Sequence, residues 1–191
     1  MIQSLPLETL VQSFLLVFAG EMGDKTQLLS LVLARKYRKP WTILAGVLVA
    51  TLLNHALAAG VGDWLAHWLG GEVLRYLLSG TFFVFAVWIL FPDQEGEESP
   101  RASRFGVFVA TAVAFFIAEM GDKTQLATVA LGARFSDVTW VTLGSTLGML
   151  ASNALAVFWG ERVLRKIPMQ WVRRVASVLF AFFGVGILLS K

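Results

Sequence analysis

The sequence predicts an all-α membrane protein with six transmembrane helices arranged as two inverted three-helix repeats. Three observations carry this. Of the 191 residues, 57% are hydrophobic and only 15% charged, and the mean hydropathy is +0.69. Soluble domains carry about 25% charge, so there is too little here to cover a water-facing surface. The apolar residues also run in stretches that reach the roughly 20 residues a membrane helix requires. Finally, the octapeptide Glu21–Leu28, EMGDKTQL, recurs unchanged at Glu119–Leu126, 98 residues later.

Six segments read as helices: 7–34, 41–66, 72–91, 105–133, 139–160 and 171–190. They are longer and more continuous than the ten-residue alternating strands of a membrane barrel. The second fades near Gly60–Asp63, which leaves Trp64 to Trp68 to lie along the interface. Residues 1–91 form the first repeat and 105–191 the second. Between them, residues 92–104 (PDQEGEESPRASR) form an acidic, solvated linker. The opening MIQSLPLETL lacks the basic stretch of a signal peptide, so the chain is expected to start directly with its first span.

Cysteine is absent, which excludes a disulfide framework, a thiolate metal site and a catalytic thiol. The net charge of +3 does not point to nucleic acid, because the basic residues sit in short clusters between apolar runs. Eleven Lys and Arg fall in 35–39, 92–104 and 162–174, against Arg75, Arg134 and Lys191 on the other side. The richer side should face the cytoplasm. Both termini then lie outside and the linker inside. Trp41, Trp68, Trp140, Trp159 and Trp171, near segment ends, read as interfacial anchors in the lipid bilayer.

The repeat extends beyond the motif. Ala56–Ala58 matches Ala154–Ala156, Arg75 matches Arg173, Phe82 matches Phe180 and Phe85 matches Phe183. This is an internal duplication. Three spans per half is an odd number, so the second half should be upside down relative to the first. A pseudo-twofold axis in the membrane plane would relate them, as in many secondary transporters.

Each motif places Glu, Asp and Lys at bilayer depth. Asp or Lys there costs about 2.5–3.5 kcal/mol on insertion scales, so such groups must pair or face an aqueous interior. On a continuous helix Glu21 and Asp24 share one face and Lys25 reaches Glu21. Gln27 extends the stripe. Gly23 loosens the helix, and local unwinding would free carbonyls as ligands. The same holds for Glu119, Gly121, Asp122, Lys123 and Gln125. Facing each other, the motifs would bring together Glu21, Asp24, Glu119 and Asp122, flanked by Thr26, Thr124, Gln27 and Gln125.

Such an all-oxygen site suits a hard divalent cation. Zn²⁺ and Cu⁺ are disfavoured without Cys or a motif His. Four carboxylates and two ammonium groups leave a charge of −2, which one divalent cation or two protons would neutralise. Proton–cation exchange follows. Ion pairs that merely lock the fold would favour a balanced charge. An intramembrane aspartyl-protease pair fits poorly with four carboxylates and two lysines in symmetric copies.

The second and fifth segments carry small-residue ladders, Gly46, Ala50, Asn54 and Gly144, Gly148, Ser152, which read as close helix contacts. Asn54 and His55 match Ser152 and Asn153 and are candidates to line a pathway. A buried hydrogen-bonded structural role is commoner for a lone His than a proton relay.

The doubled EMGDKTQL resembles the E-x-G-D-[KR]-[ST] hallmark of a family of calcium/manganese–proton exchangers. That family includes bacterial manganese exporters and organellar transporters of eukaryotes, and is placed in the lysine-exporter superfamily. The resemblance covers essentially the whole chain. It implies transport of Mn²⁺ or Ca²⁺ coupled to H⁺, with Glu21, Asp24, Glu119 and Asp122 binding the cation. The short chain resembles the prokaryotic branch, which implies a plasma (inner) membrane and Mn²⁺ efflux. The expectation is therefore a transporter rather than an enzyme, with no prosthetic group, no nucleic-acid partner, and compatibility with a homo-oligomer. A Ca²⁺/H⁺ exchanger, a passive divalent-cation channel and a non-transporting scaffold are the rivals.

Overall fold

A computed structural model describes residues 6–91, 106–164 and 168–190, and for 161–164 the backbone only. The described residues form eight helices and no strand. These are α1 (Pro6–Glu21), α2 (Lys25–Tyr37), α3 (Pro40–Trp68), α4 (Gly71–Trp88), α5 (Gly106–Glu119), α6 (Lys123–Phe135), α7 (Val138–Leu164) and α8 (Met169–Leu189). The linker 92–104 lies outside the described residues, as do the side chains of Arg162, Arg165 and Lys166.

The first and fourth predicted segments are not continuous helices. Each breaks inside the motif, giving α1–α2 and α5–α6. The cause is local. Asp24 N–H donates to the Glu21 carbonyl at 3.1 Å, and Asp122 N–H to the Glu119 carbonyl at 3.1 Å, closing a four-residue turn. Its third position has φ of 80° at Gly23 and 77° at Gly121. That is the left-handed region that a type II-like turn requires there and that glycine alone enters freely. The motif glycine therefore ends one helix and lets a second begin.

The second segment shows the opposite departure. α3 runs unbroken from Pro40 to Trp68 through Gly60–Asp63, so Trp64 to Trp68 continue the helix instead of forming a separate interfacial stretch. Pro40 starts it at a position where its missing N–H costs nothing. Further on, α7 carries a kink at Gly160, with φ 24° and ψ −105°.

Helix pairings repeat when the halves are exchanged. α1 packs on α7 as α5 packs on α3, and α2 meets α7 as α6 meets α3. α3 packs on α7 and α4 on α8, each against its own counterpart. Small residues make these approaches close. A Cβ added to Gly46 would lie 2.9 Å from the Phe108 carbonyl oxygen, and one on Gly148 2.6 Å from that of Phe14. Gly144 abuts the Leu10 carbonyl, Gly62 that of Val129 and Gly132 that of Ala59. The ladders thus act in helix contact, as small residues do in membranes, where packing replaces the hydrophobic effect between helices. Between α4 and α8, Phe82 lies tilted against Phe180, with ring centroids 6.1 Å apart, and meets Phe183 edge-on at 4.8 Å.

Pro40–Trp68, Gly71–Trp88, Val138–Gly160 and Met169–Leu189 are long and apolar enough to cross a membrane. Their outward residues are large and apolar. Phe182 is 76% exposed and Leu189 74%, a surface that water would not tolerate and lipid would. Trp41, Trp68, Trp159 and Trp171 are exposed near helix ends.

Candidate functional site

The two breaks bring the charged residues inward. Glu21 ends α1 and Asp24 opens α2, while Glu119 ends α5 and Asp122 opens α6. All four carboxylates are buried. Oxygens of Glu21, Asp24 and Asp122 lie within 4.8 Å of one another. Glu119 stands close enough to Glu21, Asp122 and Asp24 to feel their charges.

Glu21 and Asp24 therefore do not meet on one helix face, as a continuous helix would have required. A turn separates them, and they converge across it. Neither aspartate uses its side chain to cap its own helix. Each sits where the positive end of a helix dipole favours a carboxylate. At the ends of α1 and α5, the glutamates stand where helix carbonyls are left over, an arrangement that favours cations.

Motif hydroxyls and amides hold the frame. Thr26 Oγ1 donates to Glu21 Oε2 at 2.7 Å. Its counterpart Thr124 donates to Glu119 Oε2 at 3.2 Å and lies 3.3 Å from Asp122 Oδ2. Gln27 Oε1 accepts from the Gly23 N–H at 2.8 Å, and Gln125 Oε1 from the Gly121 N–H at 2.6 Å. The glutamine thus ties down the turn that its own motif creates. Glu21 Oε1 and Glu119 Oε1 are buried and find no hydrogen-bond partner among the described residues. Leaving buried carboxylate oxygens unpaired is costly unless a cation or proton serves them.

The lysines behave differently from each other. Lys25 Nζ lies 2.7 Å from Asp122 Oδ1 in the other half. The helical spacing had assigned it to Glu21, but the break swings α2 away and gives Glu21 to Thr26. Lys123 Nζ donates to the Phe91 carbonyl at 3.2 Å and lies over the Trp88 ring.

The pathway candidates are buried beside the motifs. Gln27 Nε2 donates to the Ser152 carbonyl at 3.0 Å and lies 3.2 Å from Ser152 Oγ. Asn153 Oδ1 accepts from Ser30 Oγ at 2.7 Å. Asn54 Nδ2 donates to the Phe116 carbonyl at 3.1 Å, and its Oδ1 has no partner among the described residues. His55 is fully buried, and neither ring nitrogen has a partner among the described residues. This departs from the hydrogen-bonded role expected for it.

Three participants were not foreseen. Ser30 lies one turn beyond Gln27, and its match Thr128 also carries a hydroxyl, a signal the repeat contained. Arg173 lines a cleft beside the first motif with Met22, Asp24, Phe91 and Lys123. The Phe91 carbonyl carried no sequence signal.

Fold and site define a class: an all-helical membrane protein with buried carboxylates at paired helix breaks. The family described as "Divalent cation/proton antiporter GDT1" matches residues 9–97 and 107–191, and the chain belongs to it. It is thus a transporter of that class, not an enzyme. A Vibrio cholerae protein named "Putative manganese exporter" is 48% identical over 182 residues, covering 94% of this chain and 90% of that one. The Synechocystis "GDT1-like protein sll0615" is 28% identical over 94% of this chain and 96% of its own length. "GDT1-like protein 3" of Oryza sativa subsp. indica is 26% identical, covering 94% and 73% respectively. No solved structure matches.

Proposed function

We propose that this chain exports a divalent cation, Mn²⁺ foremost, in exchange for protons. The observation that carries the reading is the buried triad of Glu21, Asp24 and Asp122, with oxygens within 4.8 Å of one another. The four motif carboxylates and the two motif lysines sum to −2, the complement of one divalent cation or two protons. An all-oxygen donor set suits Mn²⁺ and Ca²⁺ alike. The Mn²⁺ preference draws on the name of the Vibrio cholerae relative.

The architecture in this reading is two inverted repeats, 1–91 and 105–191, joined by the linker 92–104. Each repeat holds three spans, the first broken at the motif. Packing direction supports inversion. α7 runs alongside α1–α2 with Gly144 at Leu10, Gly148 at Phe14 and Gly160 at Leu31, so the two are parallel. Likewise α3 runs with α5, Gly46 at Phe108 and Asn54 at Phe116. Two residues join α2 to α3, so α3 returns antiparallel. α5 then points opposite to α1.

Glu21, Asp24, Glu119 and Asp122 bind the cation, with Thr26, Thr124, Gln27 and Gln125 positioning them. Asn54, His55, Ser152 and Asn153 border the path. The chain resides in a bacterial inner membrane, with both termini outside. Protons arriving from outside displace the cation outward, and rocking of the halves carries the protons in.

The test is flux of radioactive Mn²⁺ and Ca²⁺ into proteoliposomes with an imposed pH gradient. Uphill Mn²⁺ movement that needs the gradient is expected. Flux indifferent to the gradient would indicate a passive channel, and the absence of flux a scaffold.

A further inference from the structure

We propose that the Lys25 ammonium is a tethered counter-ion that the transported cation must displace from Asp122. The inference rests on the transport reading above and deepens it.

Lys25 Nζ sits 2.7 Å from Asp122 Oδ1, one of the carboxylates in the triad. Lys25 belongs to the first motif and Asp122 to the second, so the pair bridges the two halves. Lys123, at the matching place in the second copy, donates to the Phe91 carbonyl at 3.2 Å. The glutamate of its own motif accepts from Thr26 at 2.7 Å, while the direct ion pair of Lys25 is to Asp122.

A divalent cation bound by these three carboxylates would rest about 2.0–2.6 Å from their oxygens. At that range it competes with the ammonium for the same carboxylate. A strongly bonded ammonium and a divalent ion repel each other when they share a partly dry site. Exposure shows which group yields. The Lys25 side chain is 33% exposed, against 5% for Asp122. Lysine is a point charge on a flexible stem and can swing outward to water while the carboxylate stays.

Two consequences follow. Lys25 weakens cation binding, because each loading event breaks an ion pair. It also speeds unloading, because the ammonium returns to Asp122 as the cation leaves. The empty site is never left with three carboxylates uncompensated.

The first test uses unmodified full-length protein in detergent. Mass spectrometry follows reductive methylation of lysines with and without Mn²⁺. Mn²⁺ should raise the labelling of Lys25 severalfold, whereas unchanged or reduced labelling would overturn the proposal. The second measures Mn²⁺ dissociation constants. Lys25→Gln should bind roughly five- to tenfold more tightly, the worth of a partly exposed charged hydrogen bond. Lys25→Arg should stay near the original value. In proteoliposomes Lys25→Gln should lower KM and Vmax together. An unchanged or weaker affinity in Lys25→Gln, with binding by Glu21→Gln sharply weakened, would leave the transport reading intact and reject this one. Absence of Mn²⁺ binding by the unmodified protein would reject both.

Discussion

Thr51 Oγ1 lies 3.1 Å from Met149 Sδ, and the two residues hold the same position in the two copies of the repeat. Contact between matched residues is what the proposed twofold relation between the copies requires on its axis. Phe82 and Phe180 are a second such pair. One contact joins α3 to α7 and the other joins α4 to α8. The motifs converge on the same relation, which explains how carboxylates distant in sequence share one buried volume.

Removing charge from that volume should weaken binding sharply without unfolding the chain. Glu21→Gln keeps a group that can accept from Thr26, and Asp122→Asn keeps the size of the aspartate. Each should weaken Mn²⁺ binding by roughly a hundredfold, the cost of losing one charged ligand in a buried site. Isothermal titration reads the affinity, and circular dichroism checks that the helices remain. Retained protection of cells against excess manganese by either variant would refute the assignment.

The two motif glutamines should differ although they lie in identical octapeptides. Gln27 ties its turn and also reaches Ser152 on α7. Gln125 is less buried, and its described bond is to Gly121. Gln27→Ala should therefore cost about 1–2 kcal/mol more than Gln125→Ala, the net worth of one or two buried hydrogen bonds. Thermal unfolding in detergent compares them. Equal shifts would mean that the α2–α7 contact contributes nothing.

The motif glycines give a paired test of the break. Either Gly→Ala change puts a Cβ on a left-handed residue, at about 1–2 kcal/mol. At Gly121 the new Cβ would meet none of the described residues, whereas at Gly23 it would lie 2.8 Å from Met169 Sδ. Gly23→Ala should destabilise more, by melting temperature, and its transport should fall further. The reverse order would contradict the packing of Met169 over the first motif.

Much of this was legible in the sequence because the repeat is legible. Residue matching at one offset identified the duplication, the motif carboxylates and the ladders of Gly46 and Gly144. The helix breaks were harder to see. Periodicity treats Glu21–Lys25 as helix, since the flanking apolar residues continue in register, and one positive φ at Gly23 decides otherwise. That same φ redirects Lys25. Its partner lies in the other half, and spacing along one helix cannot reveal a partner across an axis. The end of α3 departs from the sequence pattern for a related reason. Gly60 and Gly62 look like breakers, yet Gly62 is small because the Val129 carbonyl lies against it.

That crossing supplies a further prediction. Gly62 and Gly132 each abut the backbone of the opposing helix, at Val129 and Ala59. Backbone cannot rotate aside as a side chain can. Gly132→Val should destabilise by about 1–3 kcal/mol or more, as overpacked cores do. Gly80→Ala, where the added Cβ meets none of the described residues, should be neutral or mildly stabilising. Heating followed by size-exclusion chromatography distinguishes the two. Equal survival would contradict the close α3–α6 approach.

The central claim is that cation and protons compete for the buried carboxylates and move in opposite directions. Proteoliposomes loaded with a pH-sensitive dye, without an initial pH gradient, test this directly. Adding Mn²⁺ outside should drive protons out and raise the internal pH, and Glu21→Gln should abolish the signal. Mn²⁺ entry without any change in internal pH would contradict the account.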